Sequence, residues 1–488
     1  MTDSRQMTTT DVTIGVDLGT TSVKALALDS AGRVVARSGG GYPLHSGTDG
    51  SAVQDAEQVV AVALDALSAL HRQLAGVTVR AIVPSAAMHS LVLLDRSGRV
   101  MGPALTWADT RPALTLPQLR AQLDPAWSYP RTGCPLQAPY HPARLWWLRQ
   151  TQPDVFGTVG HFVSLTDLLL HRLTGHWATS VGLASTTGLW NLQASRWDPE
   201  LLAALGIQPG RLPTVLDARE PVGPVLAGPW RGVPVLAGSS DGALANLGTG
   251  AALEDVVVTV GTSGAVRRLS ARPHLDPLAR SWSYRLDLQT HLVGGAINNG
   301  GLLLDWVRRS WYSDLDTATG FARLLHDAGE VPAGADGLTL LPYLSGERSP
   351  HWRADLRATL HGLTLAHGRA QVARAALEAV AFSLAQVRAL DEETPGSRVY
   401  STGGLAADPG WNRLLASVLG VPVHLLEAGD ASATGAALLG HERATLQALQ
   451  REARTRPAVL PDPASSAALE AARTRWLQLY ATLYPAVP

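Results

Sequence analysis

The sequence is short of the residues on which several classes of protein depend. Its 488 residues include one cysteine, Cys134, which excludes an internal disulfide framework and a metal site built from clustered cysteines. Lysine is nearly absent too, since only Lys24 among the 40 lysine and arginine residues is a lysine. A coding bias towards arginine explains such a skew. The one lysine is either a chance survivor of that bias or a functional residue of the glycine motif in which it falls.

The chain also lacks an apolar run of about 18 residues, the length that spans a bilayer. Its first ten residues carry no apolar segment of the signal-peptide kind. With a net charge of −1 it has no basic excess that would attract nucleic acid or an anionic membrane. We therefore expect a cytoplasmic protein without a nucleic-acid or membrane partner, in which local groups hold any bound anion.

What is present is the composition of a large globular protein, with 46% hydrophobic and 17% charged residues. A chain of this length exceeds one ordinary core, so two large domains are expected. Strands are predicted at 12–17 and 23–28 with a tight turn between them, followed by a helix at 56–74. A second strand-rich block begins near 233, and Asp408-Pro409 predicts the start of a helix that ends near 419.

Two turns carry the glycines and hydroxyls that a phosphate-binding loop needs. Asp17-Leu-Gly-Thr-Thr-Ser22 adds a carboxylate able to hold Mg²⁺, and Gly261-Thr-Ser-Gly264 follows a strand in the same way in the second half. Each is alternatively an ordinary hairpin turn. No glycine precedes Lys24, so there is no Gly-Lys-Ser/Thr P-loop, and Leu253 stands where a dinucleotide fingerprint needs its third glycine.

The segment Gly238-Ser-Ser-Asp-Gly242 follows a predicted strand, enters a helical pattern and has three interpretations. In the one that we favour, Asp241 is a general base at a helix N-terminus, where the helix dipole keeps it ionised. In the second, Ser240 is the nucleophile of an α/β-hydrolase, which needs a downstream histidine. The histidines able to serve are His291, His361 and His424. In the third, the segment is only a helix cap.

A second group of polar and aromatic residues comes from two segments, 85–90 and 106–111, of which the first follows the strand predicted at 79–83, at the edge where α/β sheets place ligands. It consists of Met88, His89, Trp107, Asp109 and Arg111. A tryptophan face packs on sugar C–H groups, while aspartate and arginine hydrogen-bond to hydroxyls and carboxylates. These residue types are therefore able to bind a polyol or sugar acid. Structural packing is nevertheless the more usual role of His89 or Trp107 taken singly, and most of the 14 tryptophans in the chain must be structural.

Taken together, these motifs resemble the FGGY carbohydrate kinases over about residues 13–440. The two glycine turns are similar to the two phosphate motifs of that family, and Asp241 stands where the family has its catalytic base. Residues 343–378 contain segments similar to its C-terminal signature, and 401–412 resembles its adenosine motif. The resemblance implies an α/β protein with the two-domain actin-like/ribonuclease-H-like ATPase fold and a central cleft, divided into residues 11–246 and 247–488.

The resemblance also implies a reaction, the transfer of a phosphoryl group from ATP, with Mg²⁺, to a sugar hydroxyl. In this reaction Asp241 is the catalytic base and contacts the sugar, and Asp17 holds the metal. The other residues implied at the sugar are Met88, His89, Trp107, Asp109 and Arg111. The residues implied at the nucleotide are Gly19, Thr20, Thr21, Ser22, Lys24, Gly261, Thr262, Ser263, Gly301, Asp305, Gly403, Gly404 and Asn412.

Within the family, the segments around His89, Trp107 and Asp241 are most similar to gluconokinases, which favours D-gluconate as substrate and 6-phospho-D-gluconate as product. We expect Arg111 or His89 to meet the carboxylate of such a sugar acid, and Arg111 is alternatively a structural partner of Asp109. A xylulokinase-like pentulose kinase is the alternative. An actin-like ATPase without sugar kinase activity and an α/β-hydrolase are less favoured.

One departure from the family pattern stands at Pro142-Ala-Arg-Leu-Trp-Trp147, where the family usually has a lysine and one more spacer residue. We interpret this stretch as structural. A homodimer is compatible with the sequence, which carries no signal for a particular oligomeric state.

Overall fold

The computed structural model describes residues 11–391, 396–426 and 429–485, which form two α/β domains, each built on a seven-stranded sheet. The strands of the first sheet are β1 (Val12–Leu18), β2 (Ser22–Asp29), β3 (Val34–Gly41), β4 (Val79–Ala86), β5 (Pro221–Pro224), β6 (Pro234–Leu236) and β7 (Ser239–Ser240). The strands of the second sheet are β8 (Val256–Val260), β9 (Gly264–Ser270), β10 (Trp282–Arg285), β11 (His291–Ile297), β12 (Val399–Gly403), β13 (Val423–Leu425) and β14 (Ala458–Val459). The predicted two-domain α/β architecture is confirmed.

Helices surround both sheets. In chain order they are α1 (Ala56–Gln73), α2 (Leu116–Gln122), α3 (Pro125–Thr132), α4 (His141–Thr151), α5 (Pro153–Thr158), α6 (Leu165–Thr174), α7 (Val181–Thr186), α8 (Pro199–Leu205), α9 (Asp241–Gly248), α10 (Gly301–Trp311), α11 (Thr317–Glu330), α12 (Arg369–Arg388), α13 (Pro409–Leu419), α14 (Ala431–Leu439), α15 (Arg443–Thr455) and α16 (Pro463–Leu483). Among the described residues, none of the helices has the length and apolar character needed to cross a membrane.

The two large sheets repeat one topology. β1 pairs antiparallel with β2 and parallel with β4, and β8 pairs antiparallel with β9 and parallel with β12. The turn inside each opening hairpin is one of the two predicted phosphate motifs, at 19–21 in the first domain and 261–263 in the second. The duplicated hairpins therefore bring the two motifs to equivalent places in the two domains.

Helices α9 and α14 cross in direct backbone contact where the domains meet. A Cβ on Gly248 would lie 1.9 Å from the carbonyl oxygen of Ala431, and a Cβ on Gly435 would lie 1.9 Å from that of Leu244. Only glycine fits at such a separation, and the crossing fixes the start of α9 beside the first sheet. The domain boundary predicted between residues 246 and 247 falls inside this helix and stays a prediction.

Strand β10 lies at the edge of the second sheet and docks against the first domain. The Ser283 amide donates to the Gly133 carbonyl oxygen (2.9 Å), and the Arg285 amide donates to Ser185 Oγ (2.9 Å). Gly133 has a φ of 67°, and a Cβ there would lie 2.2 Å from the Ser283 carbonyl oxygen, so the contact requires glycine. The domains are thus joined by hydrogen bonds of the β10 backbone as well as by the chain itself.

Candidate active site

Two aspartates lie at one edge of the first sheet because their strands flank the same neighbour. β1 and β7 both pair parallel with β4, so Asp17 and Ser239 are both in register with Ser85. Asp241 is the first residue of α9, two positions beyond Ser239. The Ser85 hydroxyl donates to Asp17 Oδ1 (2.7 Å) and orients that carboxylate. The fold thus brings together the predicted metal ligand and the predicted base.

The environment of these carboxyl groups changes their ionisation. Burial, and then the nearby charge of Asp17, raise the pKa of Asp241 to about 7, although Arg267 and the Gly242 amide oppose the shift. Burial also raises the pKa of Asp17. Burial therefore opposes the ionisation that we expect from the helix N-terminus, and the Asp241 carboxyl group is only partly ionised near pH 7. A pKa close to the working pH is the value that suits a general base.

His89 lies just beyond β4 in a left-handed backbone conformation, with a φ of 68°. Its Nδ1 is 2.9 Å from the Thr186 carbonyl oxygen, which assigns the ring proton to Nδ1 and leaves Nε2 as an acceptor. Burial, and then the charge of Arg144, lower the pKa of His89 to about 3. The ring is therefore neutral and accepts hydrogen bonds. The backbone of the neighbouring Met88 contacts the carboxyl group of Asp241.

The loop that follows the short strand Ala104–Leu105 carries the other residues predicted at the sugar. Arg111 Nε and Nη2 donate to the two oxygens of the buried Asp109 (3.0 and 2.5 Å). The Arg111 guanidinium also lies 4.8 Å from the ring centroid of Trp147. Asp109 and Arg111 are thus engaged with each other. Trp107, in contrast, lines the cleft, and its Nε1 donates to Thr20 Oγ1 (3.1 Å) in the first phosphate motif.

Arg144, which marks the departure from the family pattern, is fully buried in α4. Its guanidinium donates to the carbonyl oxygens of His89 and Thr106, so one side chain anchors both loops that carry predicted sugar residues. Burial lowers its pKa to about 9. These contacts give Arg144 a structural role, in line with the interpretation of this stretch.

The second glycine turn, at 261–263, packs on the start of α10. The amides of Gly301 and Leu302 donate to the carbonyl oxygens of Gly261 (2.8 Å) and Thr262 (2.9 Å). A Cβ on Gly301 would lie 2.6 Å from the Gly261 carbonyl oxygen, so glycine permits this approach. Gly301 therefore contacts the phosphate motif directly, while Gly261 and Thr262 stay exposed to the cleft.

The turn after β12 contains the residues predicted to border the adenosine. Gly403 has a φ of 93°, and a Cβ there would lie 2.4 Å from the Val260 carbonyl oxygen. A Cβ on the exposed Gly404 would meet nothing within 4 Å, so this backbone faces open space. Asn412 is buried, and its amide donates to the carbonyl oxygens of Ala406 and Asp408 (both 2.8 Å). Asn412 thus shapes the turn and keeps its amide away from the cleft.

Two charged residues predicted at the nucleotide have partners within the protein. Lys24 forms an ion pair with Asp430 at the start of α14 (3.2 Å). Asp305 forms ion pairs with Arg308 and Arg309 on its own helix (2.9 Å each). Both side chains are thus engaged within the protein and still retain hydrogen-bonding capacity for a ligand.

A cavity of about 790 Å³ lies between the domains and falls in the size range of small-molecule sites. Its walls in the first domain include Trp107 and Asp109, and its walls in the second include Thr262, Ser263, Glu347 and Arg348. The cavity therefore extends from the loop that carries Trp107 to the second phosphate motif, whereas Asp17 and Asp241 are not among the residues that line it.

Sequence reasoning gave no role to Arg348, which the structure places in this cavity. Its Nε donates to Asn298 Oδ1 (2.7 Å), its Nη2 donates to the Ile297 carbonyl oxygen (3.1 Å), and its guanidinium lies 5.5 Å from the Trp107 ring centroid. In the part of the chain that the structure describes, no carboxylate forms an ion pair with it. Burial lowers the pKa of Arg348, although the nearby charge of Glu347 opposes the shift. The sequence feature that could have indicated a functional role for Arg348 is the charged pair Glu347-Arg348, which directly follows Gly346.

The hydrolase interpretation finds no geometric support. Ser240 has ordinary extended dihedrals (φ −70°, ψ 148°) where a nucleophile elbow needs a strained turn. Its hydroxyl is buried, and within residues 11–391, 396–426 and 429–485 it has no hydrogen-bond partner. His424 Nδ1 instead lies 3.0 Å from the Arg456 carbonyl oxygen. Ser240 therefore lacks the base that a nucleophilic serine requires.

The described ranges contain no group of three or more histidine, cysteine or acidic residues that could hold a metal ion. Asp17 can therefore supply only part of a coordination shell. This arrangement fits Mg²⁺, which enzymes commonly hold with one or two carboxylates, waters and the phosphates of a substrate.

Duplicated domains that each open on a glycine turn, with two aspartates close together at the edge of the first sheet, are the architecture of a two-domain, actin-like kinase. Comparison with known proteins identifies the family. Residues 12–248 match the FGGY family of carbohydrate kinases, N-terminal domain, and residues 256–441 match the C-terminal domain of the same family. The chain belongs to the FGGY carbohydrate kinases, which are phosphotransferases acting on a sugar hydroxyl. The resemblance noted in the sequence is confirmed.

Individual relatives include kinases for two kinds of sugar. The gluconokinase of Bacillus subtilis (strain 168) is 32% identical over 447 residues, which cover 88% of this chain and 87% of that protein. The solved structure of a gluconate kinase from Lactobacillus acidophilus has a TM-score of 0.88 at 28% identity, and covers 98% of this chain and 99% of that one. A ligand-bound xylulose kinase from the same organism has a TM-score of 0.89 at 28% identity, with the same coverage. Fold similarity alone does not separate the two substrates.

Proposed function

We propose that the enzyme is a gluconokinase, which transfers the γ-phosphoryl group of ATP to D-gluconate and forms 6-phospho-D-gluconate. Its similarity to the B. subtilis gluconokinase supports this substrate. The observation that carries the proposal is the Arg348 guanidinium, which borders the cavity and, among the described residues, has no ion pair with a carboxylate. We further propose that the reaction takes place in the cytoplasm, without a nucleic-acid or membrane partner.

The charged groups around the cleft suit phosphoryl transfer, which depends mainly on positioning and on neutralising charge. In this proposal Asp241 accepts the proton of the attacking sugar hydroxyl, and Asp17 holds Mg²⁺ together with phosphate oxygens and water. The turns at 19–22 and 261–263 bind the phosphates of ATP, one from each domain. The open space beside Gly404 accommodates the adenosine. Bound MgATP supplies the phosphoryl group and the metal charge that stabilises its transfer.

A sugar acid brings a carboxylate into the cleft, and burying it unpaired would cost several kcal/mol. The two residues that the sequence suggested for this carboxylate are unsuited to it, because His89 is neutral and Arg111 is already paired with Asp109. Arg353 also lines the cavity, but it is paired with Asp355. Arg348 stacks near Trp107 and retains donor capacity, so we assign the carboxylate to Arg348.

The test is to measure kcat/KM for gluconate, xylulose, ribulose and glycerol on one enzyme preparation by coupled ADP release. We expect gluconate to be preferred. If any neutral sugar exceeds gluconate by about tenfold, an advantage worth about 1.4 kcal/mol, the gluconokinase proposal fails. Activity that is highest with xylulose would establish the pentulose kinase alternative, which the similarity to a xylulose kinase structure favours.

A matched pair of substitutions tests the role of Arg348. Arg348→Gln removes the cation next to Trp107, whereas Arg120→Gln removes another arginine that lines the same cavity and donates to the Leu136 carbonyl oxygen. A hydrogen bond to a charged group contributes about 1.5–3 kcal/mol, so Arg348→Gln should lower kcat/KM for gluconate by about 10- to 150-fold. Arg120→Gln should have a much smaller effect. Equal losses in the two variants would remove the assignment of the carboxylate to Arg348.

A further inference from the structure

Three side chains from different parts of the first domain hold the turn of the first phosphate motif. The Tyr42 hydroxyl donates to the Gly19 carbonyl oxygen (2.6 Å), and Gln54 Nε2 donates to the Thr20 carbonyl oxygen (2.6 Å). Trp107 Nε1 donates to the Thr20 hydroxyl (3.1 Å). Of these three residues, Trp107 is the one that also lines the cavity between the domains.

The bond between Trp107 and Thr20 has a fixed direction, because an indole N–H can only donate. A threonine hydroxyl has lone pairs that accept and one proton that it can donate. Trp107 donates to a lone pair of the Thr20 hydroxyl, so the hydroxyl proton points away from Trp107. In this orientation the Thr20 hydroxyl can donate its proton to a phosphate oxygen. Hydrogen bonds in such a chain also polarise one another.

The ring of Trp107 and the turn at Thr20 are attached to the same small sheet. The short strand Ala52–Gln54 pairs with Ala104–Leu105, and the Thr106 hydroxyl donates to the Ala52 carbonyl oxygen (2.8 Å). This sheet therefore carries both Gln54, which holds Thr20, and the loop that carries Trp107. A sugar packed on the Trp107 ring would restrict the same side chain that orients the Thr20 hydroxyl.

We propose that the Trp107–Thr20 hydrogen bond couples the sugar site to the first phosphate motif, so that sugar and MgATP each tighten the binding of the other. Trp107 is then a positioning residue for the nucleotide, because it acts on the phosphates through Thr20. The coupling must be equal in the two directions, since linkage between binding free energies is reciprocal. This proposal rests on the enzyme's function as a carbohydrate kinase. It does not depend on which sugar is the substrate.

The experiment measures the affinity of a non-hydrolysable ATP analogue with Mg²⁺ by calorimetry, with and without the sugar that gives the highest kcat/KM. The ratio of the two dissociation constants is the coupling factor. In the unaltered enzyme we expect a factor of about five, the equivalent of one ordinary hydrogen bond. The reverse titration, of sugar with and without the analogue, must give the same factor.

Four variants separate the coupling from general loosening of the turn. Trp107→Phe keeps an aromatic ring but removes the N–H donor, and Thr20→Val removes the hydroxyl that accepts it. Thr20→Ser keeps the hydroxyl, and Tyr42→Phe removes a different hydrogen bond to the same turn. The factor should fall to about one in the first two variants and stay near five in the last two, because only the first two break the donor–acceptor pair.

Thr20→Val is the informative variant, because Thr20 lies in the phosphate motif and its replacement leaves the side chain of Trp107 itself unaltered. A Trp107→Phe/Thr20→Val double variant should lose no more coupling than either single variant. Three results would overturn the proposal: a factor near one in the unaltered enzyme, an unchanged factor in Trp107→Phe or Thr20→Val, or an equal loss in Tyr42→Phe.

Discussion

The raised pKa of Asp241 gives the reaction a pH dependence whose sign and size follow from the structure. An ionised carboxylate is needed to accept the proton of the sugar hydroxyl, and the pKa of about 7 leaves much of the group protonated in mildly acid solution. The ionised fraction is about one tenth at pH 6 and about nine tenths at pH 8, so kcat/KM should rise about tenfold across this range. If Asp241 had the ordinary aspartate pKa near 3.8, kcat/KM would stay constant between pH 6 and pH 8.

The assay is ADP release with the sugar and MgATP both far below their KM values, so that the free enzyme is the species that titrates. Asp241→Asn should lower turnover by about 10²–10⁴-fold, the usual contribution of a general base, and the residual activity should lose its dependence on pH. Arg267→Gln should move the midpoint to higher pH, because the Arg267 charge opposes the rise in the pKa of Asp241. A flat profile in the unaltered enzyme would refute the reasoning, as would an Asp241→Asn variant with full turnover.

Three further predictions concern the metal, the stability and the hydrolase alternative. Asp17→Asn should weaken the Mg²⁺ dependence and turnover together, and an unchanged Mg²⁺ titration would remove Asp17 from the metal site. Burial raises the pKa of Asp167 from 3.8 to about 6. The free energy of unfolding should therefore decrease as the pH rises from about 4 to about 6, because ionised Asp167 is less favourable in the folded protein. The total loss above pH 6 is at most about 3 kcal/mol. Asp167→Asn should therefore flatten the pH dependence of the unfolding free energy measured with denaturant, and an equally steep dependence in the variant would contradict this. Ser240→Ala should reduce turnover only slightly, and covalent labelling of Ser240 by a fluorophosphonate would revive the hydrolase interpretation.

The features that the sequence predicted well are those whose cause lies within a few residues. The helix predicted at 56–74 is α1 (Ala56–Gln73), capped by the Asp55 side chain. The helix start predicted at Asp408-Pro409 is also found, with the Asp408 carboxylate accepting from the Trp411 amide (2.6 Å). Periodicity and capping are local properties, and both phosphate-type turns were recognisable for the same reason.

What the sequence could not supply depends on contacts between distant segments. Arg348 acquires its position because the second domain places it over Trp107, a residue 241 positions earlier in the chain. The sequence also provided no measure of the ionisation of Asp241 and His89, because burial, which no short motif encodes, dominates both pKa values. Arg111 is an intermediate case. The sequence showed its partner Asp109 two residues away, but it was equally compatible with contact between Arg111 and the substrate.

The docking of β10 on the first domain bears on how this protein would fail under stress. An uncovered edge strand presents free amides and carbonyls to other chains and is a template for intermolecular pairing. Here the first domain caps that edge through Gly133 and Ser185. A domain movement that pivots about this seam keeps the edge covered, whereas one that peels the seam open exposes it. Conditions that separate the domains before either unfolds should therefore lead to aggregation rather than reversible inactivation. A substitution at Gly133 should have the same effect, because it would open the contact between β10 and the first domain.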